Sequence, residues 1–243
     1  MSTTTSGSPT IVSLEEWTKR RRELLRQEKE LDRQRDALSA RRRELPWVRV
    51  VPEYRFASPG GPATLADLFA GHGQLIVYHF MLGPGWGEGC SGCSFVADHF
   101  DGTVAHLRAR AVAFTAISSA PLDEILAFKT RMGWRFPWVS SHDTTFNRDF
   151  GVSCTAEDVA SGIASYNFRP REVPMEEMPG LTVFARGEDG TIYRTYSTYA
   201  RGLDLLIGTY NLLDLTPLGR NEDPEEPMSW VRHHDRYGSA TNG

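Results

Sequence analysis

The chain has 243 residues, 40% hydrophobic and 11% aromatic, enough for one large domain with a true core and some appendages. Its net charge of −4 offers no basic surface to nucleic acid or anionic membrane, and three cysteines are too few for a disulfide scaffold. The first ten residues are polar and Ser/Thr-rich with no apolar signal core, and the longest apolar run, residues 75–82, is far below the ~20 residues that cross a bilayer. A soluble cytoplasmic protein is the resulting expectation.

Residues 1–12 read as disordered. Ser13 is placed to cap a helix with Glu15 and Glu16 in its first turn, and that helix runs to about residue 45, where Pro46 stops it. Trp17, Leu24, Leu31, Leu38 and Leu45 recur every seven residues. The second heptad position is Leu14, Arg21, Glu28 and Arg35, so the apolar seam is one residue wide and not the a/d pair of a coiled coil. Such a line calls for packing, over the chain's own domain or on a second subunit, and a homodimer is expected. Arg41, Arg42 and Arg43 are read as a solvated face, because acids are interspersed through the helix.

Residues 47–56 read as a short strand or connector, 58–62 as a turn, and 64–69 as a helical turn broken by Gly71-His72-Gly73. Residues 75–81 predict a buried strand. A Gly-rich loop, 83–89, joins it to Cys90-Ser91-Gly92-Cys93, where one helical pattern begins with Phe95, Val96, Phe100, Val104 and Leu107 as apolar positions. A second buried strand covers 111–117, a helix runs from Pro121 to Gly133, 136–139 is extended, and 146–150 is a short helix. Residues 153–178 read as an insertion. A strand at 181–185 turns through Glu188-Asp189-Gly190 into 191–196, and a final amphipathic helix covers 203–215. The expected organisation is a start and long charged helix (1–46), a domain (47–218) and a tail (219–243).

The Cys-x-x-Cys carries the chemistry. A cysteine at a helix start meets unpaired backbone N–H groups and the positive end of the macrodipole, and both favour thiolate, the nucleophilic form. The second cysteine, one turn on, closes a disulfide and releases what the first captured. Two other readings stand beside this one: half of a zinc site, for which no second pair exists in the chain, and inert buried thiols. The expected roles are catalysis by Cys90 and Cys93 on a protein or small-molecule thiol or disulfide, with no cofactor, no bound metal, no nucleic acid and no membrane. Trp86 is a candidate to shield the disulfide or stack on substrate, and Glu88 in the same loop would oppose a low thiolate pKa. Cys154 is either a resolving partner for Cys90 or a small buried hydrophobe. His233, His234 and Asp235 are adjacent on an extended segment and face different ways, which suits a tail folded back on Trp230 and Tyr237 better than a metal site.

Alternating strands and helices, then a hairpin and a closing helix, form an α/β order. From about residue 65 to 215 it resembles the thioredoxin-like fold near its peroxiredoxin branch, through Phe136-Pro137, Phe150-Gly151-Val152, Gly180-Leu181-Thr182-Val183-Phe184 and the Gly190 hairpin. The Cys90 loop, the Met132–Ser141 stretch, the Tyr196–Gly202 stretch and Trp230-Val231-Arg232-His233-His234-Asp235 are similar to those of a bacterial thioredoxin-like family of unknown function. The resemblance implies that Pro179 is a cis-proline facing the cysteines and presenting backbone to substrate. It also implies that Tyr78 or His79 takes the place of a buried acid beneath the disulfide; a hydrogen-bonded histidine without chemistry is the other reading of His79. Peroxiredoxins carry Thr or Ser three residues before the reactive cysteine and Pro seven before it. Here those positions are Gly87 and Gly83, with Pro84 one step off. The resemblance therefore favours thiol–disulfide exchange over peroxide reduction, with a copper or zinc carrier of the same fold as the other alternative.

Overall fold

The structure is a computed structural model that describes residues 9–162, 164–172 and 175–238. Residues 1–8 of the expected disordered start lie outside the described residues. Two compact units are present, Met1–Pro46 and Trp47–Gly243.

The first unit is helix α1 (Leu14–Arg43). Ser13 Oγ accepts from Glu16 N at 3.2 Å, Glu15 and Glu16 sit in the first turn, and Arg41–Arg43 close the last, so both ends complement the helix dipole. Arg20–Glu16 and Arg33–Glu30 pairs at 2.7 Å brace its surface. None of its residues is buried, and the Trp17–Leu45 line stays about half exposed.

The second unit begins with β1 (Val48–Arg49), β2 (Arg55–Ser58) and β3 (Gly61–Thr64), then a 3-10 turn at Asp67–Phe69. Next come β4 (Gln74–His79), α2 (Ser91–Ala97), α3 (Asp101–Ala109), β5 (Val112–Ser118), α4 (Leu122–Arg131), β6 (Trp138–Ser140) and α5 (Phe146–Asp149). The segment read as an insertion contains α6 (Ala156–Ser161) and the hairpin β7 (Ala164–Tyr166)–β8 (Arg169–Arg171). Strands β9 (Gly180–Arg186) and β10 (Ile192–Tyr199), a 3-10 segment at Ala200–Leu206 and α7 (Gly208–Leu213) complete the domain.

The main sheet runs β1-β10-β9-β4-β5-β6-β2-β3. Strands β4, β5 and β6 are parallel, and β9 lies antiparallel to β4 and β10 to β9. The inner order β5-β4-β9-β10, built from a β-α-β unit, a hairpin and a closing helix, is the thioredoxin-like topology. Strand β4 sits at its centre and reads as a continuous apolar run because both faces are covered. Ile76 and Tyr78 pack toward Phe100, Phe114 and Trp138, whereas Leu75 and Val77 pack toward Phe146, Phe150 and Phe184.

Two helices expected to be continuous are broken. After α2 the ladder tightens into i→i−3 bonds (His99 N to Val96 O, 3.2 Å; Phe100 N to Ala97 O, 3.0 Å), and α3 starts on a new axis. The closing helix is interrupted at Ile207, which is extended. There His99 donates from Nδ1 to the Phe95 carbonyl and accepts Thr209 N–H at Nε2 (3.0 Å), so it caps the new helix α7 from another element. Neither break is signalled by a proline.

Candidate active site

Loop 80–90 carries the first cysteine from β4 to α2. Cys90 N donates to Met81 O at 3.0 Å, and Cys90 is the N-cap of α2. Gly89 makes this path possible, because a Cβ there would strike the rings of Phe80 and Phe128. Ser94 clamps the first turn, its N–H and Oγ both donating to the Cys90 carbonyl at 2.9 Å.

Both cysteines are free thiols, Cys90 half-buried and Cys93 buried. The hydrogen bond from the Cys93 thiol, aided by the backbone N–H groups of Cys93 and Gly92, pulls Cys90 down to about 6 against the opposing effect of burial. Cys93 goes the other way: burial first, then its bond to Cys90, holds it protonated well above the ordinary thiol range. The pair is thus divided into a thiol that favours its thiolate form and a thiol that keeps its proton. Glu88 does not oppose this. Its carboxylate accepts from Arg131 at 2.9 Å and Arg236 at 2.6 Å, which lower its pKa and balance its charge.

Of the two candidates on β4, Tyr78 faces the cysteines and its hydroxyl donates to Cys93 O at 3.2 Å. His79 points to the opposite face, between Phe146 and Phe150, with Nε2 2.9 Å from Thr182 Oγ1. Burial, with the Arg194 charge second, depresses His79 to about 3, so it is a neutral core side chain and does not stand beneath the sulfurs.

Pro179 shares with Cys90, Cys93, Leu203, Ile207 and Met228 the wall of a cavity of about 300 Å³. The expected cis bond is not present: every described peptide is trans. The segment is fixed instead by Met178 N to Val152 O at 2.8 Å and by Tyr166 OH donating to Pro179 O at 2.7 Å, so the carbonyl is already used. Trp86 is not in this cavity; its indole lies over Gly83. Cys154 lines a different, polar cavity of about 210 Å³ with His142 and Glu177. Burial raises Glu177, whose oxygens are nevertheless held by Ser119 (2.8 Å), Ser153 (2.7 Å) and Asn147 (3.3 Å).

The tail folds back onto the site. Nε2 of buried His233 donates to Gly89 O at 2.8 Å, His234 Nδ1 meets Asp98 at 2.6 Å, and Asp235 accepts from Arg131 at 2.8 Å. The segment expected to be extended is a 3-10 turn over His234–Arg236, and its neighbours still reach different partners; among the described residues no group of three or more His, Cys, Asp or Glu is arranged to hold a metal ion. Sequence reasoning missed Met228. It lies in an acidic loop with no periodicity, yet its side chain reaches Gly92 beside Cys90.

The sequence profile defining DUF899, described as bacterial protein of unknown function, matches residues 6–237. The chain belongs to the DUF899 family. Among solved structures it is similar to the peroxidoxin BcpB of Mycobacterium tuberculosis, at 15% identity over 70% of this chain and 97% of that one, with a TM-score of 0.44. It is also similar to the Xanthomonas campestris bacterioferritin comigratory protein (14% identity, 68% and 96% coverage, TM-score 0.42). A third is a Chlorobium tepidum protein assigned as the thiol:disulfide interchange protein DsbE (12%, 68% and 97%, 0.41). No curated protein matches the sequence. Among the described residues no helix is long and apolar enough to cross a membrane.

Proposed function

We propose that this DUF899 protein is a thiol–disulfide oxidoreductase working through Cys90 and Cys93. The observation that carries the reading is the opposite displacement of two neighbouring thiols, one toward thiolate and one toward thiol, at the mouth of an apolar cavity. Cys90 thiolate attacks one sulfur of a disulfide, a mixed disulfide forms, and the other sulfur leaves as a thiolate. Cys93 then attacks Cys90 sulfur, expels the second half, and its proton goes to the departing thiolate. The balance is one disulfide and two protein thiols giving two thiols and one protein disulfide. Tyr78 holds the Cys93 carbonyl and keeps α2's first turn against β4. In a reducing, cytoplasmic setting such a pair rests as a dithiol or cycles between the two forms. The exposed apolar line that recurs every seven residues from Trp17 along α1 supports a homodimer through that helix.

Intact-mass and free-thiol analysis tests the reading. Oxidation should yield a single Cys90–Cys93 bond, and Cys93→Ser should accumulate mixed disulfides through Cys90. Purification with stoichiometric metal lost in Cys90→Ser would replace it with the metal-carrier reading. Hydroperoxide consumption faster than disulfide exchange would replace it with a thiol peroxidase.

A further inference from the structure

The wall of the cavity beside Cys90 is almost wholly apolar. Val96, Leu203, Ile207, Tyr78 and Met81 line it beside the two sulfurs, and all five belong to the buried domain core. The charged residues of its lining are Arg201 and Asp204, which pair with each other at 3.2 Å, and Asp204 also faces Arg220 at 3.7 Å, so the charges beside the cavity are matched with one another and form no cluster of one sign.

Met228 lines this cavity as well. An ideal Cβ at Gly92 would lie 3.8 Å from Cys90 Sγ, 4.0 Å from Met228 Sδ and 3.2 Å from Met228 Cε, so the thioether and the Cys90 sulfur flank the gap that Gly92 leaves open. The position is built. Glu222 Oε1 accepts from Met228 N (3.2 Å), Trp230 Nε1 (2.6 Å) and Tyr210 OH (2.7 Å), and Trp230 packs edge-on against Phe95 at 5.5 Å. Met228 itself is held at φ 66, a left-handed conformation costly for a side chain of this kind and kept only where its surroundings impose it.

We propose that the substrate of Cys90 is a small organic disulfide with an uncharged, apolar arm, which the cavity receives beside Met228. This rests on the thiol–disulfide reading above and names its substrate class. A volume of about 300 Å³ holds on the order of ten non-hydrogen atoms at about 30 Å³ each. The flexible thioether adapts to arms of different shape. Cys90 thiolate joins the arm-bearing sulfur, the other half leaves as a thiolate, and Cys93 then releases the arm as a thiol while the protein becomes the Cys90–Cys93 disulfide. Both electrons come from the protein dithiol, so one turnover needs no further reductant.

The test is single-turnover oxidation of the reduced full chain by a homologous series, dimethyl to di-n-butyl disulfide, beside glutathione disulfide. Second-order rate constants should rise about fourfold per methylene per arm until the cavity is full, and glutathione disulfide should react at least tenfold more slowly than the best alkyl member. Met228→Ala, which shortens the wall without adding charge, should flatten the series, read as the ratio of the di-n-butyl to the dimethyl rate within each protein. A flat wild-type series, or a faster reaction with glutathione disulfide or a peptide disulfide, overturns the substrate inference and leaves the exchange reading standing. No mixed disulfide with any member overturns both. An unchanged slope in Met228→Ala overturns the part given to Met228.

Discussion

Replacing Cys93 by alanine isolates the group that holds Cys90 as a thiolate. In the folded chain the Cys93 thiol is the largest influence lowering Cys90 to about 6, ahead of the backbone N–H groups of Cys93 and Gly92. A hydrogen bond to a charged group contributes about 1.5–3 kcal/mol, equivalent to about one to two pH units at 1.36 kcal/mol each. Cys93→Ala should therefore move the Cys90 midpoint up to about 7–8. At pH 7 the thiolate fraction falls from about nine-tenths toward about a tenth at the upper end of that shift. The midpoint is the quantity to read, because a less acidic thiolate is also intrinsically more nucleophilic and partly offsets the loss in rate. The assay is iodoacetamide labelling of Cys90 across pH 5–10, followed by mass spectrometry, with Cys154→Ser in the background. Cys93→Ser restores a hydroxyl donor and should fall between the two. A Cys93→Ala midpoint that stays near 6 refutes the argument and moves the thiolate's support to the backbone alone.

Three further outcomes are expected. Glu222→Ala removes the common acceptor of Tyr210, Trp230 and the Met228 amide; the tail should loosen, Cys90 should alkylate several-fold faster, and unchanged labelling would place the tail's hold elsewhere. His79 is depressed in the fold to about 3, so between that value and its unfolded pKa of about 6.5 the unfolded chain binds the extra proton, and stability should fall as pH drops through this window. Urea titrations at pH 7 and 5 should show that loss, and His79→Gln should reduce it. Deleting residues 1–46 should convert a dimer to a monomer in light scattering, and a full-length monomer would remove the role proposed for the Trp17–Leu45 line.

The sequence alone determined the elements whose cause is local. Ser13 and the charges at each end of α1 state where that helix begins and stops, and the apolar runs of β4 and β5 mark buried strands because a doubly covered strand has no polar face. Cys-x-x-Cys after a strand and at the start of a helix named the candidate pair for the same reason: three residues span about one helical turn. Alternation along β4 also required that only one of Tyr78 and His79 could face the sulfurs. Which one did, and what surrounded the sulfurs, came from contacts distant in sequence. His99 starts α7 by capping Thr209 at a separation of 110 residues, and Arg131 and Arg236 neutralise a Glu88 that looked adverse in isolation. Tyr166 fixes the Pro179 carbonyl from within the inserted segment, and no local pattern reports whether that peptide is cis or trans. Met228 is the clearest case. Its neighbours in the chain form an acidic loop without periodicity, and three donors gathered on Glu222, one of them the Met228 amide, hold the segment whose thioether lies beside Gly92. Propensity and periodicity act over a few residues, whereas the walls of this cavity are assembled from β4, α2, the Ala200–Leu206 turn and the tail, which meet only once the sheet has closed.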